Sequence, residues 1–336
     1  MEWVYARIEK ERYMKNYQRY TEEQIEELID KELLQAYRSM RCIPLSDAII
    51  PEVKALVNQN VYIEGFPDVL VQKIEISSRE KGREIDIFRC AKENVKENPP
   101  AFLFIHGGGY VVGSAKSELE NAKRLADLTS LPVFSVEYRL APEHPYPAGL
   151  EDCYDALVYL SENAEALGID KDKIAIYGGS AGGGMCACLS LYARDMKGPK
   201  IAMQVLLCPM LDDRQETPSS HQLAEVRAWN RQQNTYAWKS YLKDLYGTDK
   251  VPYTAAPSRC EDLSGLPPTL LTVGTVDLFR DEDIAYATRL MQHDVPTELH
   301  VVPGLYHSGE GSPSRLSERM NAAIKRYICD FFEESL

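Results

Sequence analysis

The sequence predicts an α/β fold, a mostly parallel sheet with helices on both faces. Three observations predict it. From Ala101 onward, short apolar runs alternate with helical stretches. Such strands, nearly continuous in apolar residues, belong to parallel sheets buried on both sides. Two strands of alternating polarity come before them. No internal repeat or low-complexity tract points to another architecture.

In chain order, Thr21-x-x-Gln24 forms a capping box, and Ile25, Leu28, Ile29, Leu33 and Ala36 follow at helical spacing. One amphipathic helix is expected over 21–38. Lys73–Ser77 and Glu84–Phe88 alternate polar and apolar residues around the turn Lys81-Gly82, which predicts an antiparallel hairpin. Strands are expected at Ala101–Ile105, Val133–Val136, Ile174–Tyr177, Ala202–Leu207, Thr269–Val273 and Leu299–Val302. Helices are expected at Lys116–Leu128, Leu150–Ala166, Ala181–Met196, Glu282–Gln292 and Pro313–Phe332. Between Leu211 and Cys260 the alternation stops for too long to be a plain loop, so an inserted helical element is expected there.

Composition excludes several function classes. The chain has 336 residues, 44% hydrophobic and 26% charged, as folded globular proteins do. Its net charge of −13 disfavours nucleic acid and anionic membrane, whose own negative field repels it. No apolar run reaches the roughly 18 residues of a spanning helix. Met1–Tyr20 is too polar for a secretory signal. The eight cysteines form no CxxC pair, so they read as reduced, mostly buried thiols, with no zinc site.

The sharpest motif is Gly178-Gly179-Ser180-Ala181-Gly182, between a strand and a helix rich in small residues. A serine on such a tight turn is held with its hydroxyl exposed, and small neighbours let strand and helix approach. Gly182-x-Gly184-x-x-Ala187 also fits a dinucleotide fingerprint, but the next strand ends in Leu207-Cys208-Pro209 without the acid that reading needs. His106-Gly107-Gly108-Gly109-Tyr110 follows the strand at 101–105. Its glycines can turn N–H groups into a pocket, as acyl transfer requires when a carbonyl oxygen gains negative charge.

These pieces, with Glu137-Tyr138-Arg139-Leu140-Ala141-Pro142-Glu143, Asp262-Leu263-Ser264-Gly265-Leu266-Pro267-Pro268 and Asp277-Leu278-Phe279-Arg280-Asp281-Glu282, resemble the hormone-sensitive-lipase-like (family IV) serine esterases of the α/β-hydrolase superfamily. The resemblance runs from about Lys73 to the C-terminus. It implies an eight-stranded α/β-hydrolase sheet with a helical cap. In that scheme 1–50 is the N-terminal part of the cap and 51–210 the first part of the core. Residues 211–257 are the cap insertion and 258–336 the rest of the core.

Within that scheme Ser180 is the nucleophile. The base is a late histidine, and His307, in the loop after the last strand, fits the order nucleophile, acid, histidine better than His293 or His300. Asp277 follows the seventh strand and is the expected acid, with Asp281 the alternative. The N–H groups of Gly108, Gly109 and Ala181 form the expected oxyanion hole, and His106 braces the glycine loop. Two positions depart from the family. Gly179 and Glu137 stand where an Asp is usual, which puts the support of the serine turn in doubt. Replacing Gly179 by Asp is expected to cost stability.

The expected activity is serine-dependent hydrolysis of short-chain carboxylic esters without metal or cofactor. The alternatives are a deacetylase of sugar or aryl acetates and, from another class, a weakly catalytic ligand-binding receptor. The expected partner is a small-molecule ester, in the cytoplasm, with a homodimer left open.

Overall fold

Strands rich in Val, Ile, Leu and Phe need cover on both faces, and the sheet's two faces carry separate hydrophobic clusters. The computed structural model describes residues 17–59, 65–93 and 97–333. Residues 1–16, part of the stretch read as lacking a signal and as cap, lie outside the described residues.

The strands are β1 (Val69–Ser77), β2 (Glu84–Lys92), β3 (Ala101–Ile105), β4 (Val133–Val136), β5 (Ile174–Gly179), β6 (Gln204–Leu207), β7 (Thr269–Val276) and β8 (Thr297–Tyr306). They form one eight-stranded sheet in the order β1-β2-β4-β3-β5-β6-β7-β8. The hairpin pairs Ile76 with Ile85, and β2 joins β4 antiparallel. Every later pairing is parallel. β3, β4 and β6 are buried along their whole length.

Helices α4 (Leu119–Thr129) and α11 (Arg315–Glu333) cover one face. On α11, Leu316, Met320, Ile324 and Ile328 recur every four residues and are buried. The opposite face is covered by α5 (Ala148–Glu162), α7 (Ala181–Asp195) and α10 (Arg280–Gln292), with the short α6 (Ala164–Leu167) after α5.

The helix expected over 21–38 is broken. Thr21 caps α1 (Glu22–Leu28) in the expected box, but α2 begins only at Leu34 and runs to Ser39. Asp30 makes the corner. Its N–H donates to the carbonyl of Gly304 at 3.0 Å, and its side chain accepts from the N–H of Glu32 at 2.9 Å. The corner turns Ile25, Ile29, Leu33 and Tyr37 inward and leaves Leu28 47% exposed. A third short segment, α3 (Ile50–Gln59), leads towards the sheet.

Residues 211–257 carry α8 (Pro218–Gln222) and α9 (Arg231–Leu242). Their polar side chains reach the N-terminal segment. Arg227 holds Glu22 at 2.6 Å and the carbonyl of Arg38 at 2.8 Å. Gln232 bonds the backbone of Leu45 in both directions, and Tyr236 donates to Asp47 at 3.0 Å.

Tyr37 links these segments to the core. It is fully buried, its ring lies 5.3 Å from that of Tyr306, and its hydroxyl accepts from the N–H of Arg227 at 3.2 Å. Tyr37→Ala therefore leaves a large void where three segments meet, and should lower unfolding stability by about 3 kcal/mol or more. A urea titration reads this as a lower midpoint. An unchanged midpoint would mean that the N-terminal segment adds nothing to the cooperative unit.

Candidate active site

The site begins with the backbone of Ser180. Between β5 and α7 it adopts φ 56° and ψ −125°, a conformation costly for a residue with a side chain. Backbone hydrogen bonds hold it there. Its N–H donates to the carbonyl of Leu207 at 2.8 Å, and its carbonyl accepts from Gly184 at 2.9 Å and Met210 at 3.0 Å. The turn closes only because its neighbours are small. A Cβ on Gly182 would stand 2.1 Å from the carbonyl oxygen of Ile105.

The hydroxyl of Ser180 donates to Nε2 of His307 at 2.9 Å. The Nδ1–H of His307 donates to Oδ2 of Asp277 at 2.8 Å, and the other carboxylate oxygen accepts from the N–H of Phe279 at 2.9 Å. Phe279 also sets its ring edge-on to the imidazole at 5.1 Å. β7 extends to Val276, so Asp277 follows it directly, and β8 ends at Tyr306, so His307 follows that. The alternatives stand apart from Ser180. Asp281 accepts from the N–H of Ser219 and pairs with Arg280. His293 bonds the carbonyl of Arg289, and His300 sits against Glu298 within β8.

Burial alone would lower the pKa of His307. The charge of Asp277 and its hydrogen bond, with a further contribution from Glu310, outweigh burial and raise it. His106 has no carboxylate beside it. Burial, only partly opposed by its hydrogen bond to Gly107, lowers its pKa to about 4, so it is neutral at pH 7. Its Nδ1–H donates to the carbonyl of Gly107 at 2.8 Å, and its ring stacks on Tyr138 at 4.2 Å.

That contact shapes the glycine loop. Gly108 has φ 108°, and a Cβ there would stand 2.1 Å from the carbonyl oxygen of Val112. Among the described residues the N–H groups of Gly108, Gly109 and Ala181 have no hydrogen-bond partner. Unpaired N–H groups beside a buried hydroxyl, one at a helix start, favour an anion. Glu137 fastens the next turn by accepting from the N–H of Ala115 at 2.9 Å, and burial raises its pKa to about 7.

At Gly179 φ is not positive, and a Cβ would meet only Leu207 atoms at 3.8 and 3.9 Å, an ordinary contact. Neither the backbone nor the room for a Cβ opposes a side chain here.

Ser180, His307, Gly107 and Gly108 line a cavity of about 360 Å³. Its remaining wall was not read from the sequence. Phe104, Tyr177 and Leu207 form the sheet side, and Trp229 and Met40 lie on the side of the inserted and N-terminal segments. Glu118, Asn121, Arg124, Glu310 and Asn321 supply polar groups. The only available signal was a polar i, i+3, i+6 row on α4 and its N-cap, which reads equally well as a solvated face. Among the described residues, one cluster could offer three metal donors: Cys208, Asp277 and His307, within 4.8 Å of one another. Two of these three already bond each other. Seven of the eight cysteines, Cys42, Cys90, Cys153, Cys186, Cys188, Cys208 and Cys260, are free thiols. No described helix is long and apolar enough to cross a membrane.

Two outcomes follow from this geometry. A base at His307 works only when neutral, so the acid limb of kcat/KM should lie above the ordinary imidazole pKa of about 6.5. Glu310→Gln removes a charge that favours the imidazolium and should move that limb to lower pH. A limb that stays put or rises would exclude Glu310 from the electrostatics of His307. Gly179→Asp should leave unfolding stability within about 1 kcal/mol of the parent. A loss of about 3 kcal/mol in a urea titration would show that the space is not free.

Comparison with known proteins agrees with the architecture. Residues 102–309 match the model of a family described by its alpha/beta hydrolase fold. An arylesterase of Saccharolobus solfataricus is 33% identical over 308 residues, 90% of this chain and 98% of the relative. The carboxylesterase NlhH of Mycobacterium tuberculosis is 37% identical over 215 residues, 63% of this chain and 67% of its own length. Among solved structures, a bacterial heroin esterase superposes with a TM-score of 0.86 at 36% identity, covering 91% of this chain and 98% of that one. With this sheet order, this serine turn and these matches, the chain belongs to the α/β-hydrolase fold family, in its hormone-sensitive-lipase-like branch.

Proposed function

We propose that this protein hydrolyses short-chain carboxylic esters through an acyl-enzyme on Ser180. The observation that carries the reading is the unbroken hydrogen-bond chain from Ser180 through His307 to Asp277, at 2.9 and 2.8 Å, opening on a cavity. His307 Nε2 takes the hydroxyl proton as Oγ attacks the ester carbonyl carbon. The tetrahedral oxyanion is received by the N–H groups of Gly108, Gly109 and Ala181. Its collapse breaks the bond to the alcohol oxygen, which leaves with the proton from His307. Water then attacks the acyl-enzyme with His307 again as base, releasing the acid and restoring Ser180. Asp277 fixes the tautomer and stabilises the imidazolium.

The relatives named as esterases support the substrate type. Residues 17–50 and 211–257 act as the cap, and their mutual hydrogen bonds support treating them as one cover. Free thiols favour a reducing, cytoplasmic setting.

Triad members act as a unit, so Ser180→Ala should lower kcat about 10⁴-fold or more with an unchanged circular dichroism spectrum. His307→Asn should fall nearly as far, while His293→Asn and His300→Asn keep most of the activity. Hydrolysis of p-nitrophenyl acetate distinguishes them. A folded Ser180→Ala with near-normal turnover would sink the mechanism.

Chain length gives a separate test. A cavity of about 360 Å³ is at the small end of ligand sites, and part of its wall is polar. Each added CH₂ gains about 0.8 kcal/mol only while it meets apolar wall. Across p-nitrophenyl esters of two to sixteen carbons, kcat/KM should peak between acetyl and hexanoyl and fall steeply by decanoyl. A maximum at twelve carbons or beyond, with activation by emulsified triglyceride, would mark a lipase instead.

A further inference from the structure

The cavity contains more polar groups than ester hydrolysis uses. Glu118 and Arg124 lie along one side, on α4 and its N-cap. Glu310 and Asn321 belong to the C-terminal segment, and Tyr177 lies on the sheet wall. These groups are largely uncommitted. The nearest acid to the Arg124 guanidinium is Glu120 at 3.9 Å, too far for a hydrogen bond. Among the described residues, neither Arg124 nor the Tyr177 hydroxyl makes a side-chain hydrogen bond. Glu118 has one such partner, Asn121. Donors and acceptors left unpaired beside a nucleophile are what a bound ligand satisfies.

Their chemistry narrows the ligand. Two carboxyl groups share the wall with a single guanidinium, so an anionic group meets Glu118 and Glu310. A cationic group meets Arg124. A hydroxyl both donates and accepts, so a row of hydroxyls can pair with carboxylate, guanidinium, amide and phenol together. Trp229 adds an apolar indole to the same wall, where the C–H side of a sugar ring can pack.

We infer that this polar wall is a subsite for a polyhydroxylated group, and that the preferred substrates are O-acetylated monosaccharides rather than plain alkyl or aryl esters. The inference rests on the hydrolytic reading of Ser180 and names its substrate class.

The test pairs methyl 6-O-acetyl-glucopyranoside with cyclohexylmethyl acetate, which has a similar ring without hydroxyls, and uses p-nitrophenyl acetate to report the hydrolytic machinery. The sugar acetate should exceed the carbocycle at least tenfold in kcat/KM, because a site built to bond hydroxyls discriminates against a ligand lacking them. Arg124→Met and, on the C-terminal helix, Asn321→Leu should each reduce that ratio at least threefold. A wild-type ratio near one, a ratio unmoved by both variants, or a preference for acetylcholine or acetoxyacetate would overturn the subsite. Loss of p-nitrophenyl acetate hydrolysis in the wild type would instead refute the hydrolytic reading. In that case, calorimetric titration of the same sugar acetate and carbocycle into Ser180→Ala reads the subsite without turnover. Equal affinities there would overturn it as well.

Discussion

The structure of the site depends on the backbone of one residue. Ser180 is held at φ 56° and ψ −125°, a strain on the order of 1–3 kcal/mol. Three backbone hydrogen bonds, to Leu207, Gly184 and Met210, keep it there. They in turn require β5 to lie between β3 and β6 and the first turn of α7 to press against the end of β3. The run of glycines at 182–184 follows from that approach, since side chains there would meet backbone. So does the direction of the hydroxyl. A serine in ordinary strand or helix geometry would not present Oγ to His307 while leaving the N–H of Ala181 free beside it.

Parallel pairing completes the constellation. β3, β5, β7 and β8 all point the same way, so the glycine loop, Ser180, Asp277 and His307 gather at their carboxyl ends. The bulge between Gly274 and Val276 adjusts the end of β7 just before the acid. Because Asp277 and His307 sit in water-excluded surroundings, their mutual bond outweighs the burial that would otherwise make His307 a poor base. His106 is equally buried without a carboxylate, and there burial outweighs the hydrogen bond to Gly107 and lowers the pKa.

What was legible in the sequence follows from locality. The serine turn, the glycine loop and the strands declare themselves within a few residues, since glycine spacing and apolar runs are fixed by contacts close by in the chain. The corner at Asp30 was illegible, because its cause is a backbone contact with Gly304 on the far strand. The partners of Arg227, Gln232 and Gln233 were illegible for the same reason, since they bond the N-terminal segment far back in the chain. The polar wall of the cavity comes from α4 and the C-terminal segment, where a polar row on a helix looks like any solvated face.

That division has a consequence for the chemistry. Glu310 both lines the cavity and contributes to the basicity of His307. A cation bound against Glu310 would offset its charge and lower the pKa of the base. An anion nearby would raise it and hold the imidazole in its inactive, protonated form. A neutral hydroxyl group bonds the carboxylate while leaving its charge in place, so binding and base strength need not oppose each other. On the proposed mechanism, a charged substrate would act on His307 through Glu310, and a neutral polar group would leave the balance that raises its pKa in place.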